Sequence, residues 1–82
     1  MTHEILDKVM ADAEYERIEN WFSYHAPVGD QAQRYERIRA AGGEFARLLV
    51  ELCPCSADRT AAIRKIREAV YSANASIACG GR

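Results

Sequence analysis

The sequence predicts an all-α fold: a short N-terminal helix, an aromatic elbow and a long antiparallel helical hairpin, assembled as a homo-oligomer. Three observations carry this reading. Apolar residues recur at alternating steps of three and four from Tyr35 to Leu52 and again along the last third of the chain, the period of one helix face. Proline breaks the pattern at two places, Pro27 with Gly29 close behind and Pro54 between two cysteines. Ala41, Leu48, Ala62 and Ala69 widen the apolar stripes beyond what one seam between two helices can cover, so a monomer would leave an apolar patch in water.

The first helix reads from Thr2 to about Phe22. Ile5, Val9 and Ala13 lie four apart with Leu6 and Met10 beside them, and Ile18, Trp21 and Phe22 continue a face. Thr2 is placed to cap its start, and Glu4 and Asp7 favour its positive end. Its middle, Asp12 to Glu19, is so polar that a break or kink is open there. Pro27 ends this helix and pushes the residue before it out of the helical region. Asp30 then stands as N-cap of a second helix running to Leu52 or Cys53, with the stripe Tyr35, Ile38, Gly42, Phe45, Leu49 and Leu52. Glu44 to Arg47 and Arg47 to Glu51 are spaced for exposed ion pairs. Gly42-Gly43 inside the helix costs about 1 kcal/mol per glycine relative to alanine, which calls for close approach by another helix or a bend. Pro54 stops the second helix, Ser56 caps the third, and the third runs from about Ala57 to Ala78 with the stripe Arg59, Ile63, Ile66, Val70, Ala73 and Ile77. So short a turn makes the two long helices antiparallel neighbours.

The chain has 82 residues, enough for a single domain, 1–82. A domain this small buries only about 60% of its unfolded surface and usually needs a staple or a partner. No apolar run approaches the ~20 residues of a membrane span, and the acidic N-terminus lacks the pattern of a secretory signal. Three cysteines, an odd number, fit a reducing compartment better than a disulfide framework. These features imply a soluble intracellular protein. The formal charge is −1, yet nine of the eleven basic residues are arginine, whose planar fork suits phosphate or carboxylate and stacks on flat rings.

Catalytic and metal chemistry find little support. Cys53 and Cys55 form a close pair, but a rise of ~1.5 Å per residue carries Cys79 roughly 30 Å away, and structural zinc wants four ligands. No metal site is expected within one chain. Cys55 has no acid–base partner beside it, and the carboxylates Asp12, Glu14, Glu16 and Glu19 sit on polar faces. An enzyme is not expected, and no cofactor is implied. Interleaved acids also interrupt the basic face that a DNA or RNA polymer would need.

Three features remain. Arg59 lies in the apolar stripe near a helix N-terminus, where positive charge is disfavoured; either an anionic ligand or a partner's carboxylate would explain it. Arg39 has no acid four residues away on either side. Residues 20–27 concentrate Trp21, Phe22, Tyr24, His25 and Pro27 at a bend. Trp21 and Phe22 as core plugs with Tyr24 a wetted edge is the plain alternative. Rings beside arginines otherwise suit a nucleotide, whose bases stack on aromatic faces for about 1–3 kcal/mol each and whose phosphates take charge-assisted bonds from guanidinium groups.

The ordered set Asn20-x-Phe22-x-Tyr24-His25-x-Pro27, Gln33-Arg34-Tyr35-x-x-Ile38-Arg39, Leu52-Cys53-Pro54-x-Ser56-x-x-Arg59 and Ala69-Val70-x-x-Ala73-Asn74-Ala75-x-Ile77-Ala78 resembles the small phage anti-CBASS proteins that act as cyclic-nucleotide sponges. Their helical hairpin is shared with the C-terminal part of the anti-Thoeris sponges, whose additional β-rich domain this chain is too short to hold. The resemblance covers residues 18–78 and leaves 1–17 as a lead it does not explain. It implies a hexamer that sequesters cyclic oligonucleotide messengers intact in the host bacterial cytoplasm, so that the CBASS effector is never triggered. Cyclic dinucleotides of the 3′,3′-cyclic GMP-AMP type would sit between protomers against Tyr24 and Arg39, with Phe22, His25 and Pro27 also in the binding site. Arg39 stands where the family also uses lysine, and Ser72 where it often has tryptophan. Cyclic trinucleotides, of the cyclic tri-AMP type, would meet Arg59 and Thr60, with Arg64 next, around a symmetry axis. The rival from another class is a helical adaptor or regulatory module that binds a host protein; a small nucleic-acid-binding regulator is a third.

Overall fold

The computed structural model describes residues 2–82; Met1, the first residue of the lead, lies outside them. The described chain folds as three helices in the order α1 (His3–Trp21), α2 (Gln31–Leu52) and α3 (Ala57–Ala78). None of them is long and apolar enough to cross a membrane.

α2 and α3 form the expected antiparallel hairpin and pack along most of their length. Ile63, Ile66, Val70, Ala73 and Ile77 of α3 are half-buried, as are Tyr35, Ile38, Gly42 and Leu49 of α2. The stripe shifts after Gly42. Ala46 turns inward while Phe45 stays 54% exposed and Leu52 lies open. A step of four rather than three past Gly42 puts the smaller side chain at the seam, where the helices are closest. A Cβ on Gly42 would stand 2.6 Å from Val70 Cγ2, so close approach, rather than a bend, accounts for this glycine. Gly43 does not share that role: a Cβ there would meet the Arg47 guanidinium, at 3.4 Å.

The helix starts follow their caps in two cases of three. Thr2 Oγ1 accepts the Ile5 amide at 3.3 Å, and Ser56 Oγ accepts the Arg59 amide at 3.1 Å. Asp30 occupies the N-cap position of α2, but its side chain makes no capping bond. Its carboxylate instead accepts from Arg34 Nε at 3.0 Å, and a charge-assisted partner competes well with a backbone amide. The ion pairs expected of Arg47 with Glu44 and Glu51 do not form among the described residues, where His3–Asp7 and Asp30–Arg34 are the pairs present. Exposed pairs contribute about 0–1 kcal/mol, too little to hold Arg47 away from the space over Gly43.

α1 keeps nearly the bounds read from the sequence; at 19 residues it is scarcely shorter than the 22-residue helices of the hairpin, and it does not break. It continues without interruption through Asp12–Glu19, because that stretch holds no glycine or proline and three of its eight residues are glutamate, which favours helix. α1 does not pack along the hairpin; it is fastened at its C-terminal end. Asn20 Nδ2 donates to the Cys79 carbonyl at 3.2 Å, and Trp21 Nε1 donates to the Arg82 carbonyl at 2.9 Å. The end of α3 is built to meet it. Gly80 and Gly81 take positive φ, +67° and +77°, and their amides donate back to Ile77 O and Ser76 O at 3.2 and 2.9 Å. This double bond pattern closes a helix with a left-handed turn that favours glycine, and it carries Arg82 round to Trp21.

Substitution at the two glycines separates their roles. Gly42→Ala is expected to lower stability by about 1–3 kcal/mol through overpacking against Val70. Gly43→Ala is expected to raise it by up to about 1 kcal/mol through helix propensity. Urea unfolding followed by circular dichroism checks both, and equal effects would refute the seam geometry.

Candidate functional site

The elbow residues 22–30 link α1 to α2 and present the rings expected of a site. Phe22 is the C-cap of α1 and is 84% exposed; Tyr24 is 87% exposed. Neither is a core plug, and Trp21 is only partly covered. The elbow is held by its polar groups instead. The Asn20 carbonyl lies 2.7 Å from His25 Nε2; a carbonyl can only accept, so Nε2 carries the proton in this contact. Ser23 Oγ donates to the Glu19 carbonyl, the Val28 amide donates to Gln31 Oε1 at 3.0 Å, and the Gln31 amide returns to Val28 O at 3.1 Å. His25 therefore acts through the backbone, fixing the bend, while Pro27 is exposed beyond it. The same Asn20 carbonyl faces the Cys79 thiol at 3.9 Å, and Cys79, 8% exposed, is the one buried residue among those described.

Arg39 is exposed on α2 and makes no ion pair or side-chain hydrogen bond among the described residues. It lines a groove along one flank of the α2–α3 seam together with Gly42, Gly43, Arg67, Tyr71 and Asn74. None of the elbow residues lines this groove. One copy of the chain therefore does not assemble Tyr24 and Arg39 around a common cavity there.

Arg67, Tyr71 and Asn74 line the groove, and the sequence reading gives none of them a binding role. Arg67 Nε donates to Tyr71 Oη at 2.7 Å, with its Cζ 5.3 Å from the ring centroid; the pair presents a ring and a guanidinium as one flat unit. Asn74 Oδ1 is buried with no hydrogen-bond partner. A buried acceptor left unpaired costs about 1–3 kcal/mol, a cost that a turn of the Asn74 side chain out into the groove would relieve. The signals were present in the sequence, Arg67 and Tyr71 one helical turn apart and Asn74 inside the Ala-Asn-Ala motif, but spacing alone does not distinguish a groove from a solvated face.

Arg59 has an explanation that neither sequence alternative contained. Its guanidinium Nη1 donates to the Cys53 carbonyl at 3.3 Å and approaches the Val50 carbonyl at 3.5 Å. The cation sits at the negative, C-terminal end of α2, which offsets its unfavourable place at the start of α3. Thr60 Oγ1 donates to the Ser56 carbonyl at 3.2 Å. Arg64 remains exposed and makes no ion pair among the described residues.

The comparisons with known proteins bear on this arrangement. The family model for the Acb2/Tad1 hairpin domain matches residues 14–78, a span holding the elbow, both hairpin helices and the groove. The chain belongs to the Acb2/Tad1 family, the anti-CBASS/anti-Thoeris sponges. Comparison with curated proteins and with solved structures gave no match. The Acb2/Tad1 match begins inside α1, so the first three turns of that helix lie outside it. Membership supports a sponge-type function, in which a ligand is bound and held.

The Arg59 contacts are testable without a ligand. Arg59→Leu keeps an apolar stem at the seam but removes both donors. It is expected to lower stability by about 1 kcal/mol, read as a shift in the urea midpoint. An unchanged midpoint would return Arg59 to the pool of uncommitted cations.

Proposed function

We propose that this protein is a sponge that binds cyclic oligonucleotide second messengers between copies of itself and holds them intact, blocking CBASS immunity in the host bacterial cytoplasm. The observation that carries the proposal is the family match over residues 14–78, a span that includes an exposed tyrosine at the elbow and an unpaired arginine on the hairpin. The separation of Tyr24 from the Arg39 groove supports a site completed by a second copy. The shortage of buried apolar side chains in one chain supports an oligomer, and a hexamer is the assembly we propose.

In this reading a cyclic dinucleotide of the 3′,3′-cyclic GMP-AMP type stacks a base on Tyr24, with Phe22 beside it and His25 and Pro27 fixing the bend. Arg39 meets the phosphodiester. Arg67, Tyr71 and Asn74 extend the same flank. Cyclic trinucleotides occupy separate positions near Thr60 and Arg64, with the outward nitrogens of Arg59. No bond is made or broken, so no general acid, base or metal is required. Retention rests on slow release from an enclosed pocket, since affinity differences reside mostly in the dissociation rate.

Incubation with 3′,3′-cyclic GMP-AMP followed by heating tests the proposal. Ligand should disappear from solution and return chemically intact. Cleaved product would mark an enzyme, and an undepleted ligand would favour a protein-binding adaptor. Tyr24→Ala should weaken uptake about tenfold or more through lost stacking, and Arg39→Ala comparably through lost charge-assisted bonds. Both variants should keep the wild-type circular dichroism spectrum. Unchanged calorimetric affinity in both would remove the site assignment.

A further inference from the structure

The first three turns of α1 form an apolar stripe with nothing against it. Ile5, Leu6, Val9 and Met10 are 52, 46, 51 and 63% exposed. With steps of about 100° per residue, Ile5, Val9 and Ala13 share a face with Leu6 and Met10, and Asp12 and Asp7 flank its two edges. The eleven helical residues before the family match, held only at their far end, would be marginal as a helix in water on their own. Fastening through Asn20 and Trp21 leaves residues 3–13 away from their own hairpin.

The hairpin carries a surface of the opposite character. On the flank of the seam away from Arg39, a groove lined by Ile38, Ala41, Phe45, Ala69 and Ala73 is almost wholly apolar, with Lys65 at one end. It continues through Ile38 and Ala41 to Arg34, Arg37 and Ile77 at the other end. The charges match. Between His3 and Trp21 six carboxylates stand against two cations, a formal −4. α2 and α3 together carry eight cations and five carboxylates, a formal +3. A net charge of −1 for the whole chain hides this division between lead and hairpin.

We infer that the N-terminal half of α1 docks into the apolar groove of a second copy, with Ile5, Leu6, Val9 and Met10 facing Ile38, Ala41, Ala69 and Ala73. The acids flanking the stripe meet Lys65 at one end of the groove and Arg34 and Arg37 at the other. The exchange covers two faces that a single chain leaves wet, and it uses the segment that lies before the family match. The contact is on the opposite flank from the proposed ligand groove, so it stands or falls independently of the sponge reading.

The chain has two lysines, and Lys65 is the only one in the hairpin. Carbodiimide, which joins a carboxylate to an amine without a spacer, therefore reports this contact directly. Unlabelled and 15N-labelled chains, unfolded together, refolded and treated, should give mixed-label peptides joining Glu4, Asp7 or Asp12 to Lys65. Val9→Asp changes no hairpin residue; it should abolish those peptides and speed amide hydrogen exchange in residues 5–13 about tenfold, leaving exchange in α2 and α3 unchanged. Ala69→Glu should do the same from the groove side. Linked peptides of one label only, or exchange in residues 5–13 that is the same in wild type and Val9→Asp, would overturn the inference.

Discussion

Two helices packed along one seam cannot surround a side chain. In this chain the seam is drawn as tight as backbone allows, with Gly42 leaving no room for a Cβ beneath Val70. Even so, the apolar residues of both long helices are half-buried at best, and large apolar side chains from Ile5 to Tyr71 remain exposed. Burial of apolar surface is the main favourable term in folding. A chain that obtains so little of it alone gains a great deal from a neighbour. The same geometry leaves two flanks beside the seam. One carries Arg39, Arg67, Tyr71 and Asn74; the other is apolar and ends in cations. A ligand and a helix are the kinds of partner those flanks suit, respectively.

The elbow solves a different problem by different means. It must hold rings in the open, where packing cannot fix them. Polar contacts do the fixing. Asn20 joins the end of α1 to the end of α3 through Cys79 and to His25 through its carbonyl, while Trp21 reaches the Arg82 carbonyl. Tyr24 and Phe22 can then stay exposed on a backbone that is tied down on both sides. An aromatic surface offered at low conformational cost suits the binding of a flat ligand, and the Acb2/Tad1 family to which the chain belongs is one of sponges.

Much of the hairpin was legible in the residues. The steps of three and four, Ser56 at a helix start and Pro54 at a turn each specify local geometry with few alternatives. What was not legible depends on contacts between residues far apart in the chain. Asn20 to Cys79 and Trp21 to Arg82 are separated by 59 and 61 positions, and no periodicity reports them. The bounds of α1 were nearly those read from the sequence; only the break left open at Asp12–Glu19 did not occur, because a polar helix without glycine or proline persists. Asp30 chose Arg34 over the backbone, and Ala46 displaced Phe45 from the seam, since both choices are settled by neighbours rather than by propensity. For the candidate site, Tyr24 and Arg39 stood out from their neighbours in the sequence and the motif resemblance gave them a ligand role; Arg67, Tyr71 and Asn74 needed the groove to be seen.

The central claim is that the binding site exists only where copies of this chain meet. Sedimentation velocity with a fluorescent analogue of 3′,3′-cyclic GMP-AMP, run across a dilution series, addresses it directly. The account predicts that the analogue sediments with the oligomer and is released as dilution dissociates it. An analogue that travels with a single chain at undiminished affinity, or with no species at any concentration, would contradict it.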